Sequence, residues 1–480
     1  MNTFDTPRRR NGGGLGRLIV VLLVLVVIAW VVAMLFPGGG GDPTAKAPAS
    51  TPDQIKQGEY LARVGDCAAC HTAPGGQPFA GGLAIGSPIG TIYSTNITPD
   101  PESGIGKYSY GEFERAVRRG IDAEGHTLYP AMPYPSYAKV SDQDVQALYA
   151  YFMHGVQPVK QDNKAEGITW PLSMRWPLTY WRWLFAPSVT PIESAATGDA
   201  TLARGQYLVE GLGHCGACHT PRSFTLQEKA LGPNQGMAYL SGGESDHWVA
   251  PSLRGELASG LGSVGEEELA TLLKSGRSDR SAVFGGMGDV VEHSTQYMSD
   301  PDLAAIAHFL KSLPPARQEQ ALSYNEATHA ALTSGAASAP GAQLYVDNCA
   351  TCHRTDGHGY AAVFPALAGN PVLNGDNAGS AIRLVLHGGT MPSGRDAPTQ
   401  FSMPAFRERL NNQQIAEILS FVRSSWGNRG GAVTAQDVAR LRDLPPAGQP
   451  LMTGYDPRQK GSDAPGPNAE DQAGTPVTNK

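Results

Sequence analysis

The chain has 480 residues, 41% hydrophobic and 17% charged, with 58 Gly and 37 Pro. Its length exceeds what one hydrophobic core can serve and suits about three domains, and its apolar content excludes a disordered chain. Beyond Arg17 there are 43 acidic residues against 33 basic ones, a balance that argues against nucleic acid as a partner.

In chain order, Arg8, Arg9, Arg10 and Arg17 precede an uncharged run over residues 18–36, long enough for a membrane-spanning helix. The competing reading is a secretory signal, but its apolar part is usually shorter, and no small-x-small cleavage site follows promptly. The arginines place residues 1–17 in the cytoplasm and all that follows the anchor outside it. Residues 37–55, glycines followed by Pro, Ala and Thr, form a flexible linker.

Three similar units follow, at 56–158, 198–316 and 341–427. GEYLARVGDCAACHT (58–72), GQYLVEGLGHCGACHT (205–220) and GAQLYVDNCATCHR (341–354) repeat one pattern, which consumes all six cysteines. Downstream, SDQDVQALYAYFM (141–153), SDPDLAAIAHFLKSL (299–313) and NNQQIAEILSFVRSSWG (411–427) each open with a capping residue and continue with apolar residues at helical spacing. A further helix is predicted between these landmarks at 112–120, 266–276 and 380–389, each stopped by glycine. Each unit is therefore expected to be a small all-α domain.

Between the first two units, residues 159–197 form a Trp/Pro-rich connector, in which Pro171 and Pro177 predict an extended chain from 168 to 185. Its tryptophans suit packing between domains, or docking on a partner subunit or the membrane interface. The linker 317–340 looks flexible over Leu332 to Pro340. The tail 428–480 is expected to be mostly extended or disordered, apart from one short capped helix at 434–442.

A C-x-x-C pair alone suits a dithiol centre, half a zinc site or haem attachment. The histidine that closes each pair favours haem: two thiols one turn apart add to the two vinyl groups, and the next residue lies beneath the iron. Zinc would need a second ligand pair per domain, and thioredoxin-like chemistry a βαβ setting that is missing. Three covalently attached haem c groups are therefore expected, on Cys67, Cys70 and His71; Cys215, Cys218 and His219; and Cys349, Cys352 and His353.

A methionine sulfur opposite the histidine favours ferrous iron and suits a one-electron carrier. Met132, Met287 and Met403 stand nine, twelve and eight residues ahead of the terminal helices, whereas Met298 abuts its helix and Met391 stands twenty away. With the three histidines, Met132, Met287 and Met403 are the candidate metal ligands. His126 and His214 are expected to be ordinary polar residues.

GTIYSTNITPDPESGIGKYSY (90–110), LYPAMPYPSYAK (128–139), WPLSMRWPL (170–178), GHCGACHTPR (213–222), VFGGMGDVVEHSTQYMSD (283–300), FPALAGNP (364–371) and SMPAF (402–406) carry a resemblance that covers residues 56 to about 445. The chain resembles the triple-haem cytochrome c subunit of bacterial membrane-bound alcohol, aldehyde and gluconate dehydrogenases. The resemblance implies three tandem class I cytochrome c domains, all-α, behind an N-terminal transmembrane helix, with the same cysteines, histidines and methionines as attachment points and ligands. It also implies a non-catalytic redox subunit, placed in the inner membrane with its haem domains in the periplasm. That subunit would pass electrons from a quinoprotein, molybdenum or flavin dehydrogenase subunit to ubiquinone. The alcohol dehydrogenase type begins with a cleavable signal, whereas this chain keeps a spanning helix. Two alternatives are a multihaem cytochrome c peroxidase, which would need one iron left open, and a subunit that donates to a terminal oxidase.

Overall fold

The computed structural model describes residues 13–35, 40–192, 198–245 and 247–444. It opens with α1 (Gly13–Leu35), 23 residues whose described side chains from Leu18 to Ile28 are exposed. Among the described residues no helix is long and apolar enough to cross a membrane. The helical backbone itself continues for 23 residues, about 34 Å at about 1.5 Å per residue. Residues 1–12 and Phe36, parts of the expected cytoplasmic terminus and span, lie outside the described residues.

The first unit contains α2 (Pro52–Val64), α3 (Tyr110–Arg119) and α4 (Asp142–His154). Thr51 and Gln54 close a capping box on α2, Ser109 and Glu112 another on α3, and Ser141 caps α4. The linker before α2 has less slack than expected, because Gly111 N donates to Ala45 O at 3.0 Å and Ser109 Oγ donates to Pro43 O. After α5 (Trp176–Phe185), the second unit holds α6 (Ala200–Glu210), α7 (Glu266–Ser275), α8 (Gly286–His293) and α9 (Asp300–Ser312). Beyond α10 (Ala327–Ser334), the third holds α11 (Ala342–Asn348), α12 (Gly379–His387), α13 (Asn412–Ser424) and α14 (Ala435–Arg442). The three mid-unit helices end where expected, at Gly120 (φ 63°), Gly276 (φ 75°) and Gly388 (φ 71°).

The same helix crossing recurs in every unit, with α2 on α4, α6 on α9 and α11 on α13. The glycine that opens each repeat sits at the crossing. A Cβ on Gly58 would lie 1.9 Å from Ala147 O, one on Gly205 1.9 Å from Ala305 O, and one on Gly341 2.2 Å from Glu417 O. Only glycine permits so close a backbone approach. One continuous apolar core runs through the first two units, with Leu61, Val140, Leu208 and Leu310 in it, and a second, around Ile415 and Trp426, lies within the third.

Four expectations need correction. The connector is not extended throughout: α5 forms from Trp176, because Pro177 falls in the first helical turn, where its missing N–H costs nothing. The segment from Leu332 is not simply flexible, since α10 runs to Ser334 and Leu332 is buried in the third unit's core. The tail is ordered to residue 444: α14 forms as expected and buries Val438, while residues 445–480 lie outside the described residues. The fold, though mostly helical, also contains small antiparallel sheets. β1 (Ala84–Ser87), β2 (Gly90–Tyr93) and β3 (Gly167–Ile168) pair in that order; β4 (Gly243–Ser245) pairs with β5 (Trp248–Ala250), and β6 (Gly389–Thr390) with β7 (Ser402–Met403).

Candidate haem sites

Each C-x-x-C-H stretch forms or adjoins a single short turn of helix, at Cys67–His71, Gly216–His219 and Ala350–His353. All six cysteines are free. Cys67, Cys215 and Cys349 pack against the apolar cores, and burial pushes each thiol up to about 12. A dithiol redox centre needs a low thiol pKa, and burial moves Cys67, Cys215 and Cys349 the other way. Among the described residues no group of three or more His, Cys, Asp or Glu side chains could hold a metal ion, which leaves no protein-only zinc cluster there.

The three histidines share one environment. His71 Nδ1 donates to Thr95 O at 2.7 Å, His219 Nδ1 to Pro251 O at 2.8 Å and His353 Nδ1 to Pro365 O at 3.0 Å. A carbonyl can only accept, so the proton sits on Nδ1 and the Nε2 lone pair is left for a metal. Burial holds all three imidazoles below their ordinary pKa, in the neutral form a metal needs. The main chain is anchored as well: Gly81, Gly242 and Gly359, all with positive φ, donate their N–H to the carbonyls of His71, His219 and His353.

The segments that supply the accepting carbonyls align in sequence as Thr95-Asn96-Ile97, Pro251-Ser252-Leu253 and Pro365-Ala366-Leu367. The residue two places on packs against the local core in each. In the first unit, buried Asn96 fixes this segment: its Nδ2 donates to Val159 O at 2.8 Å, and its N–H donates to Asn163 Oδ1 at 2.7 Å. Sequence reasoning missed these partners, although the shared apolar residue was the available signal.

The methionines are placed less uniformly. Met132 packs against the first core, as Cys67 does, and Met403 of β7, paired with Gly389 of β6, packs against the second, as Cys349 does. Met287 is half-buried in the first turn of α8 and belongs to neither core; its Gly-rich surroundings form a helix. That helix lies against the Cys67–His71 turn of the first unit. Met298 is buried in the first core, and Met391 is buried outside both cores.

Two further groups sit beside the first site. Asp66, whose Oδ1 has no hydrogen-bond partner, is pushed up to about 8 by burial and by the charge of Asp289 on α8. His214 is half-buried between units, its ring edge-on to Tyr137 at 5.8 Å, while His126 is exposed beside Asp122 and Glu124.

The residues present fit haem c. The thiols are unpaired, each histidine offers one ring nitrogen, and the buried donors Trp248 Nε1 and Arg277 Nη1 have no hydrogen-bond partner among the described residues, as donors to a carboxylate-bearing group would.

The family described as Cytochrome c matches residues 338–426. The chain is 56% identical over 403 residues to the cytochrome c subunit of alcohol dehydrogenase (quinone) from Gluconacetobacter polyoxogenes, covering 82% of this chain and 86% of that one. It is 57% identical over 393 residues to the gluconate 2-dehydrogenase cytochrome c subunit of Pantoea cypripedii, covering 81% and 89%. It is 38% identical over 423 residues to the fructose dehydrogenase cytochrome subunit of Gluconobacter japonicus, covering 83% and 85%.

Proposed function

The chain belongs to the cytochrome c subunits of quinone-type alcohol and gluconate dehydrogenases, and on that footing we propose that it carries three haem c groups and passes electrons from a catalytic dehydrogenase subunit to membrane ubiquinone. The observation that carries this reading is the threefold recurrence of a histidine whose Nδ1 is held on a backbone carbonyl beside two unpaired cysteines.

In this reading Cys67 with Cys70, Cys215 with Cys218, and Cys349 with Cys352 form the thioether links, and His71, His219 and His353 supply the proximal nitrogens. Met132, Met287 and Met403 would supply sulfur ligands. Bound haem would supply reversible one-electron chemistry at iron held by nitrogen and sulfur. The chain's own contribution is to hold that sphere closed: the carbonyl of Thr95, Pro251 or Pro365 fixes each imidazole's tautomer and tilt, and the apolar cores keep water away.

We place three cytochrome c domains at 56–158, 198–316 and 341–427, behind an anchor formed by α1 in the bacterial inner membrane. The N-terminus is then cytoplasmic and the haem domains periplasmic. The four arginines ahead of and within the start of α1, and the outward apolar faces of that helix, support this orientation. No residues here make or break substrate bonds; that chemistry belongs to the partner, of quinoprotein, molybdenum or flavin type. Purification of the native complex tests the reading. A co-purifying dehydrogenase polypeptide, with ubiquinone reduced on addition of its substrate, is the expected result. A copper-haem oxidase in its place would overturn it.

A further inference from the structure

Outside α1, twelve large apolar side chains among the described residues are exposed, and seven of them fall in two short stretches: Trp170, Leu172, Met174, Trp183 and Leu184 in and before α5, and Phe224 and Leu226 in the loop after the second haem motif. Phe224 is 99% exposed, Trp170 76% and Leu184 73%. A soluble surface rarely concentrates such residues without an occupant.

The polar atoms of the aromatic residues hold these stretches together and to α1. Tyr180 Oη donates to Ala29 O of α1 at 2.7 Å, and Trp181 Nε1 donates to Thr225 O at 2.7 Å. The helix that precedes the first unit, the connector between units and a loop of the second unit therefore form one continuous apolar patch. Ala29 lies six residues from the C-terminal end of α1, a drop of about 9 Å along the helix axis at about 1.5 Å per residue. Interfacial helices bury their apolar face about 5–10 Å into the boundary between headgroups and acyl chains.

We infer that α5 and the Phe224 loop rest in the outer interface of the lipid bilayer beside α1, so that the chain meets the membrane with a platform as well as a single anchor. This rests on the reading of α1 as the anchor. Trp and Tyr suit such a position, being apolar in body with a polar tip that the protein has here already satisfied. The platform would fix the height and tilt of the first two units above the membrane plane, which a lone helix followed by a linker would leave free.

The six native cysteines are consumed if haem is attached, so one introduced cysteine becomes the reactive thiol of the haem-loaded full chain. Leu184→Cys, Phe224→Cys, Val24→Cys in α1 and Val346→Cys in the third unit are nitroxide-labelled separately. Each is reconstituted in phosphatidylcholine–phosphatidylglycerol vesicles, and oxygen is compared with a water-soluble nickel chelate as relaxing agent. Labels at 184 and 224 are expected to favour oxygen several-fold over the label at 346, with the label at 24 favouring it more strongly still. If 184 and 224 match 346 while 24 lies in lipid, the platform is wrong and the anchor stands. If 24 is reached by the chelate as readily as 346, the anchor reading fails and takes the inference with it. If 184 and 224 are shielded from both agents only when the dehydrogenase partner is present, the patch is a subunit interface and the inference is overturned.

Discussion

Tyr60 Oη, in the first unit, donates to Asp302 Oδ2 of the second at 2.5 Å, and the equivalent Tyr207 of the second unit donates to Asp144 Oδ2 of the first at 2.5 Å. Both tyrosines follow the glycine of the repeat by two places, and both aspartates stand three residues into the terminal helix cap. Each phenol also accepts a backbone N–H, from Ser299 to Tyr60 at 3.3 Å and from Ser141 to Tyr207 at 3.2 Å. The two units therefore clasp each other by reciprocal copies of one contact, at the edge of the apolar core they share. Arg204 completes one side with two hydrogen bonds to Asp302, at 2.8 and 2.9 Å.

Tyr60→Phe and Tyr207→Phe should each lower unfolding stability by about 1 kcal/mol, the net worth of a hydrogen bond to a charged acceptor less the gain from a solvated carboxylate. Because the two contacts share no partner, the double variant should add the single effects within a few tenths of a kcal/mol. Urea unfolding followed by fluorescence measures this. A double variant no less stable than either single one would deny that the contacts are equivalent.

Acid should loosen this clasp. Burial alone would raise the Asp302 carboxyl, but the hydrogen bonds from Arg204 and Tyr60 outweigh it and hold the pKa below its ordinary value. A carboxylate with a depressed folded pKa stabilises fully above its unfolded pKa, near about 4, and loses that contribution as pH falls through the folded value. The thermal midpoint of Asp302→Asn should be lower than that of the parent at neutral pH, and the two should converge on acidification below about pH 4. Parallel curves through that range would contradict the assignment.

Gly58→Ala and Gly205→Ala place a methyl group against the carbonyls of Ala147 and Ala305, so the crossing helices must separate. Overpacking of this kind costs on the order of 3 kcal/mol. The prediction is loss of thermal stability with impaired haem incorporation in the affected unit. Alanine at exposed Gly265, where a Cβ meets nothing within 4 Å, serves as control.

Replacement of Met132, Met287 or Met403 by Leu should each remove one sulfur-to-iron charge-transfer signature and lower one of the haem potentials, since methionine ligation raises the potential. Met298→Leu, a volume-conserving change in the core at a residue not proposed as a ligand, should leave all potentials unchanged. Redox titration of the haem-loaded chain distinguishes these outcomes, and it matters most for Met287, which belongs to neither core.

Much of the architecture was legible because it is local. Ser141, Ser299 and Asn411 cap their helices through their own side chains, and Gly120, Gly276 and Gly388 stop theirs by positive φ, so a few adjacent residues decide each boundary. What stayed hidden depends on distant partners. Tyr60 and Asp302 are 242 residues apart, and no pattern in either stretch announces the other. The carbonyls that orient the histidines are backbone atoms of Thr95, Pro251 and Pro365, which leave no mark of their own chemistry in the sequence. The helix at Trp176 was missed because proline was read as a breaker where it serves as a starter. Helix α8 was missed because Gly286 and Gly288 flank Met287 and lower its helical propensity, so packing against the Cys67–His71 turn has to supply what propensity lacks.

On the proposed function, each of the three Cys-x-x-Cys-His turns binds one haem covalently through its paired thiols. Iron analysis of the purified full-length chain, together with acid-acetone extraction and intact mass, tests it most directly. Three irons per chain, porphyrin that stays with the polypeptide, and loss of one haem when Cys215 and Cys218 are both replaced by Ala are the expected results. Porphyrin that passes into the solvent, or an iron count other than three, would contradict it.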